Sequence, residues 1–346
     1  MRALCITLQR NEGAFLLEWI AHHIAAGFTD LLIYSNDCDD GSDALLDLLS
    51  AAGKITHVTH SAPPGKSVQW QALKAAWAHP LREVAEWVMV SDIDEFLNIK
   101  CEGHRLTDLI KRLPEGTDAV VLPWRLFGHC GHAHYADASV TEQFTRAAPP
   151  DCAFPVAATF FKSLFRPQAF TQLGVHRPKH GGGEAANWVD GSGAPMPPVF
   201  ANAAQRLSLY GFPTARDLVE CNHYSLRSAE SFLVKRDRGL PNRRGKAIDL
   251  GYWVERNFNA VEETSIARMR PGTAAALTAL MAVPGVAQAH AQCVRWHRAR
   301  IAEILRTEAG HRLFGQLRLA SGSGILSAAE AREMVALYQE VMASEG

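Results

Sequence analysis

An α/β fold with a mostly parallel central sheet is predicted by three observations. Strand-like and helix-like patterns alternate from the N-terminus, the fourth strand candidate is a continuous apolar run, and polar clusters follow the strands. Ala3 to Leu8 reads as a short buried strand. Phe15, Leu16, Trp19, Ile20, His23 and Ile24 carry the spacing of an amphipathic helix over 14–26, and Gly27 ends it. Leu31 to Tyr34 is the second strand. Ser42 reads as the N-cap of a helix with Leu45, Leu46 and Leu49 on one face. Ile55 to His60 is the third strand, Ser67 to Ala78 a helix ended near Pro80, and Trp87 to Ser91 the fourth strand.

The middle third is less regular. Ala119 to Leu122 and Thr159 to Phe165 read as strands, whereas Gly128 to Tyr135 and Lys179 to Pro198 are loops by composition. From Pro271 onward the chain is alanine-rich and helical. Val294, Ile301 and Leu305, then Ala331, Met334, Tyr338 and Val341, mark two helices separated by Ser321-Gly322-Ser323-Gly324. The division this suggests is a domain over 1–265 and a helical C-terminal extension over 266–346.

Lys plus Arg total 35 against 36 acidic residues, so no global field draws the chain to nucleic acid or membrane. The strongest local basic stretch is Arg236 to Lys246. The 7 cysteines are widely spaced with no CxxC pair, which argues against a zinc ribbon and a disulfide framework and suits a reducing compartment. Met1 to Leu8 enters a strand directly, without a signal-peptide pattern. No apolar run reaches the ~20 residues of a membrane span. A cytoplasmic protein is the expectation, with peripheral membrane association left open.

The chemistry concentrates in Ser91-Asp92-Ile93-Asp94-Glu95 after the fourth strand. Carboxylates at the C-terminal end of a parallel strand lie where open α/β sheets bind ligands. Asp92 and Asp94 flank one residue, so they can converge on one hard cation carrying phosphate oxygens. Gln9-Arg10-Asn11-Glu12 follows the first strand and Ser35-Asn36-Asp37-Cys38-Asp39-Asp40-Gly41-Ser42 the second. In a parallel sheet all three clusters emerge at one edge and can line one crevice.

These residues resemble a family. Arg10-Asn11-Glu12 with Leu17-Glu18-Trp19-Ile20 and His23, then Tyr34-Ser35-Asn36 and Asp40-Gly41-Ser42, look like the opening of the family 2-like and family 92-like glycosyltransferases. Asp92-Ile93-Asp94-Glu95-Phe96-Leu97 resembles that family's aspartate motif. Trp124, Phe127-Gly128, Gly131-His132, Phe144-Thr145-Arg146, Lys162-Ser163, His176-Arg177-Pro178 and Asn222-His223-Tyr224 continue the series. Ser228, Phe232, Lys235 and Arg238-Gly239 end it, so the resemblance covers about residues 1–240 and leaves the helical tail out.

The resemblance implies a GT-A fold, Rossmann-like in its first half. It implies transfer of a sugar from a nucleotide-diphosphate donor, a uridine diphosphate sugar as first choice, to a surface polysaccharide or other hydroxyl acceptor. It also implies a divalent cation, Mn2+ or Mg2+, both suited to oxygen ligands. Asp92 would face the ribose or the metal and Asp94 would bind the metal. Asn11, Glu12, Asn36 and Asp40 would surround base and ribose, with Arg10 beside them. Lys66 and Gln69 would add nucleotide contacts, and Lys235 and Arg238 would grip the diphosphate. His223 resembles the late histidine that completes a GT-A metal shell.

Trp124, His132 and His176 are the acceptor-side candidates, Trp124 as an aromatic platform. His129, His132 and His134 form an H-x2-H-x-H pattern, which reads better as an acceptor-facing loop than as a zinc site. An inverting transferase needs a base to deprotonate the acceptor hydroxyl. Among Asp151, Glu184 and Asp190, Asp190 has the most structured surroundings and is the one chosen. Two rival readings stand beside the transferase. One is a binding module without catalysis. The other is a haloacid-dehalogenase-like phosphohydrolase with Asp92 as nucleophile, which the Phe96 position and the unused Arg10-Asn11-Glu12 disfavour.

Overall fold

The computed structural model describes residues 1–63, 65–181, 185–203, 205–239 and 248–344. Glu184 and the end of the Arg236–Lys246 basic stretch lie outside them. The strands are β1 Ala3–Gln9, β2 Asp30–Ser35, β3 Thr56–Thr59, β4 Trp87–Val90, β5 Glu95–Ile99, β6 Ala119–Leu126, β7 Arg146–Ala147, β8 Phe161–Phe165, β9 Trp188–Val189, β10 Val219–His223 and β11 Val261–Glu262. The helices are α1 Gly13–Ala26, α2 Ser42–Ala51, α3 Val68–Trp77, α4 Pro80–Val84, α5 Leu106–Ile110, α6 Val140–Gln143 and α7 Pro198–Asn202. They continue with α8 Ala229–Arg238, α9 Leu250–Val254, α10 Arg270–Met281, α11 Val286–Leu305, α12 Glu308–Leu319 and α13 Ala328–Ser344.

The main sheet runs β3-β2-β1-β4-β8-β6-β10-β5, with β9 beside β6. Its first four strands are parallel, as the alternating pattern predicts. β8 inserts antiparallel between β4 and β6 and restores the direction, so β6 and β10 run with β1. Five strands, β5, β7, β9, β10 and β11, have no counterpart in the sequence reading, and β9 falls within the stretch from Lys179 to Pro198 read there as a loop. β5 starts at Glu95, immediately after the aspartates, and pairs antiparallel with β10. Their polar side chains are buried, and the Asn98 amide donates across the pair to Glu220 and Asn222 and beyond it to Ser265.

The period-two alternation of β1 sorts the core. Ala3 and Cys5 face α1, α2 and the first tail helices, whereas Leu4 and Ile6 face α3 and the Phe161–Phe200 side. At the start of α2, Gly41 and not Ser42 is the cap. Its φ of 86° suits a residue without a Cβ, and Asp40 Oδ1 accepts from the Ser42 amide at 2.9 Å.

The two tail helices that the periodicity predicts form as α11 and α13, but α12, unmarked in the sequence reading, lies between them, so the Ser-Gly stretch separates α12 and not α11 from α13. The tail's first part is continuous with the main core, through Ile266, Met269, Leu280, Val286 and Cys293. Ile301, Ile304, Leu313 and Leu317 close a further cluster with Phe232 of α8 and Trp253 of α9. Among the described residues no single helix is long and apolar enough to cross a membrane.

Candidate active site

The β5–β10 register builds the centre of the site. His223 stands opposite Glu95, and the Tyr224 amide donates to the Asp94 carbonyl at 2.7 Å, so Asp94 arrives at the C-terminal end of β10. His223 Nε2 lies 3.4 Å from Asp94 Oδ1, and its ring is backed by Trp124 at 4.1 Å between centroids. Burial lowers the His223 imidazole from its ordinary value against the pull of Asp94. Burial alone would push the Asp94 carboxyl up, but Lys235, His223 and Arg227 hold it well below the usual carboxylate range.

Helix α8 supplies the cations. Ser228 caps it by accepting from the Ser231 amide, and Lys235 and Arg238, one turn apart, share one face. Lys235 Nζ reaches Asp94 Oδ2 at 2.7 Å, while Arg238 Nη1 reaches Glu12 Oε2 at 2.8 Å. Just before the helix, Arg227 adopts a φ of 56°, a conformation strained for a residue with a long side chain. This turns its buried guanidinium onto the Phe15 ring, 3.6 Å from the centroid, with Glu12 Oε1 at 3.7 Å and the Ile93 carbonyl at 3.1 Å.

A cavity opens among these groups. Its charged lining comprises three cations, Arg227, Lys235 and Arg238, against two carboxylates, Glu12 and Asp94. Asn11, Phe15, Ser225 and Ser231 complete much of the wall, and His297 reaches it from α11. Sequence reasoning missed Arg227 and His297. Nothing in the residue pattern announces the backbone turn that aims Arg227, and His297 lies in a tail without a recognisable motif.

Asp92 points elsewhere. Its Oδ2 pairs at 3.0 Å with Lys162 Nζ, which also meets Glu95 Oε2 at 3.1 Å and the Val175 carbonyl at 3.0 Å. Lys162 is fully buried; burial opposes its charge, yet Asp92 and Glu95 raise its pKa. Burial pushes the Glu95 carboxyl up to about 8 against the attraction of Lys162.

Of the other expected donor residues, Asn11 and Glu12 line the cavity. Asp40 instead spends both oxygens on structure, Oδ2 accepting from the Gly13 amide at 2.7 Å and Oδ1 from Ser42. It ties the first two loops together. Asn36 is buried and donates to Asp37, and Arg10 is exposed and donates to the Asp37 carbonyl. Lys66 is exposed before α3, while Gln69 is buried on that helix with its Oε1 unpartnered among the described residues.

On the acceptor side, Trp124 is 7% exposed, so it is a wall packed on His223, His176 and Phe160 and no open platform. His176 sits behind it, bonded to the Phe161 carbonyl, with its pKa lowered to about 3 by burial and Lys162. His132 turns away to the Gln143 carbonyl. His129 bonds Asn257 and His134 bonds Glu230, so the three loop histidines diverge and form no zinc site. Asp190 does not belong to the site. It follows β9, which pairs with the start of β6, and Leu218 beside β10's first residue bonds the adjacent Gly191 carbonyl. Its Oδ1 accepts from the Ser192 amide, the Ser192 hydroxyl and the Ala194 amide, a self-contained turn.

Whether these residues suit a divalent cation is answered by Asp94 and His223. An oxygen and an imidazole nitrogen 3.4 Å apart are spaced as neighbouring ligands of one octahedral ion and suit Mn2+. Among the described residues no group of three His, Cys, Asp or Glu side chains is arranged to hold a metal. Asp92 therefore does not complete a trio, and an ion here would take its other ligands from substrate and water.

The model of glycosyltransferase family 92 matches residues 2–187, just over half of the 346-residue chain. A family 92 protein of Ricinus communis is 31% identical over 150 residues, 41% of this chain and 26% of its own length. One from Oryza sativa subsp. japonica is 31% identical over 178 residues, 48% and 27% respectively. The chain thus spans about a quarter of the curated relatives it matches. Among solved structures, S. aureus TarS 1–349 aligns with a TM-score of 0.36 and 10% identity over 93% of this chain and 90% of that one. The mannosyltransferase PcManGT of Pyrobaculum calidifontis, in complex with GDP-Man and Mn2+, aligns with a TM-score of 0.35 and 14% identity over 92% and 86%. With the family match running from β1 through β8 and the paired aspartates inside it, this chain belongs to glycosyltransferase family 92.

Proposed function

We propose that the chain transfers a glycosyl group from a nucleoside-diphosphate sugar to a hydroxyl of a saccharide acceptor. The observation that carries this reading is the cavity in which Arg227, Lys235 and Arg238 converge around Asp94 and Glu12. In the reaction the bond between the anomeric carbon and the distal phosphate oxygen breaks. The diphosphate leaves with one more negative charge, the acceptor oxygen bonds to the anomeric carbon, and its proton is lost. Prepositioned cations stabilise that developing charge. Lys235 and Arg227 also orient Asp94 and Glu12, and the Phe15 ring forms an apolar part of the cavity wall.

Asp94 Oδ1 and His223 Nε2 are the residues that would hold Mn2+ or Mg2+. Such an ion supplies Lewis-acid neutralisation of the leaving diphosphate. A uridine diphosphate sugar is the first donor to try. The test is a panel of uridine and guanosine diphosphate sugars, with Mn2+, with Mg2+ and with a chelator, read as nucleotide release and as mass increase of a saccharide. Release only with the cation supports the reading. Nucleotide binding without turnover by any donor would instead support a binding module.

A further inference from the structure

A second cleft lies on the far side of the Trp124 wall. Pro123 lines it, and Trp124 is the next residue on β6. Phe160, also in its lining, packs on the Trp124 ring at 5.6 Å and accepts the Trp124 amide at 2.9 Å. The cleft and the Asp94–His223 centre are therefore neighbours across one indole, whose buried Nε1 has no partner among the described residues. Its walls are preformed. The Leu209 amide donates to the Thr159 carbonyl at 2.8 Å, and the Thr159 and Ser208 hydroxyls meet at 2.7 Å.

The lining combines aromatic faces, Phe160, Tyr210 and Phe212, with hydroxyl and charged groups, Thr159, Asp151 and Arg216. Convergent polar groups among aromatics suit a molecule that is apolar on its faces and hydroxylated at its edge. Charge narrows the choice. Arg216 is already committed to Glu220, the Trp124 carbonyl and the Thr214 carbonyl. Asp151 is exposed and has no ion-pair or hydrogen-bond partner among the described residues. A carboxylate free to accept hydroxyl hydrogen bonds, beside a guanidinium whose Nε and Nη1 are already engaged and whose charge Glu220 balances, favours a neutral ligand over an acidic one.

We infer that this cleft is the acceptor subsite and that it receives the terminal residue of a neutral saccharide, an inference resting on the transferase reading above. The experiment uses the full chain and two substitutions, Tyr210→Ala and Asp151→Asn, so that a folding failure in one leaves the other. Saturation-transfer NMR with neutral methyl glycosides and methyl glucuronide reads binding, and steady-state kinetics with a working donor reads transfer. The expected result is binding of at least one neutral glycoside in preference to the glucuronide. In both variants the acceptor KM rises at least tenfold while the donor KM shifts less than threefold. The assignment is overturned if neither variant alters the acceptor KM, if the glucuronide binds as well as its neutral counterpart, or if no neutral glycoside binds. A wild-type chain that binds glycosides but turns over no donor would remove the transferase reading and with it the acceptor role, leaving a saccharide site.

Discussion

Lys235 Nζ stands 2.7 Å from Asp94 Oδ2, and the other oxygen of the same carboxylate faces His223 Nε2 at 3.4 Å. One buried carboxylate thus has a fixed cation on one side and an imidazole on the other. Strand register supplies the imidazole and helix α8 the ammonium, so two distant parts of the chain meet at one side chain. Oδ2 is already compensated, which leaves Oδ1 and His223 as the face presented to a ligand.

Lys235→Met is expected to weaken binding of a nucleoside diphosphate by about tenfold to a hundredfold, the loss of one charge-assisted contact. It also strands the Asp94 carboxylate in a buried setting, which costs about 3–5 kcal/mol. Isothermal titration with uridine and guanosine diphosphate, beside urea denaturation, separates the effects. Lys235→Arg should recover most of the stability. Unchanged nucleotide affinity in the Met variant would remove Lys235 from the diphosphate clamp.

Lys162→Met tests the neighbouring cluster. It removes the only ammonium that, among the described residues, pairs with Asp92 and Glu95, two carboxylates held by the same nitrogen. Destabilisation of about 3–5 kcal/mol is expected. Adding Glu95→Gln should restore part of it, because the uncompensated buried charge is then gone. A double variant no more stable than the single one would place the loss in packing.

How far the site was legible follows from what each residue depends on. β1, β2 and β4 declare themselves because they are buried on both faces and read as apolar runs, whereas the half-buried β3 is legible only from its place in the alternation. β5 and β10 do not declare themselves, since the Asn98 amide meets Glu220 and Asn222 only once the two strands have paired. Asp94, Glu12, Lys235 and Arg238 were found as motif positions and do meet. Arg227 was not, because its role is set by a left-handed backbone turn. That Asp190 and Asp40 bond to loop backbone was hidden for one reason. An aspartate before Gly and Ser looks the same in sequence whether it serves a ligand or its own loop.

Asp190→Ala should therefore act on folding and not on turnover. Three donors lose their shared acceptor, a loss of about 1–3 kcal/mol. The melting temperature should fall while kcat at a temperature where both proteins are folded stays within about twofold. A large drop in kcat with an unshifted melting temperature would return Asp190 to the chemistry.

The buried histidine His297 gives a pH dependence with a defined sign. Burial first, then Arg227 and Arg238, lowers its pKa to about 3, and Phe15, Tyr135 and Ser231 pack around it. The unfolded chain takes up that proton near pH 6.5, so this contribution to stability is intact above that value. It is lost as pH falls from 6.5 toward 3, at about 1.4 kcal/mol per pH unit per group. His297→Gln should flatten the fall of unfolding free energy between pH 6.5 and 5 by about one proton. Identical slopes for wild type and variant would mean that His297 does not titrate as placed.

The tail offers the last contrast. α13 buries Ala331 and Val335 but leaves Met334, Leu337, Tyr338 and Val341 exposed. α11 instead lies against the start of α1 so closely that a Cβ on Gly13 would stand 2.5 Å from Cys293 Sγ and 2.9 Å from Asp40 Oδ2. The same helix sends His297 into the cavity wall. Ending the chain at Ser323 should therefore leave a folded protein with nearly unchanged nucleotide affinity. Ending it at Arg270 uncovers the α1 and α8 surfaces that Cys293, Ile301 and Leu317 bury, and should abolish nucleotide binding together with cooperative unfolding. Gly13→Ala probes the same junction without deletion. Its methyl group must push Cys293 or Asp40 aside, so overpacking of about 1–3 kcal/mol is expected. If Gly13→Ala is neutral in urea denaturation, or if the chain ending at Arg270 still binds nucleotide, the tail is separable from the donor site.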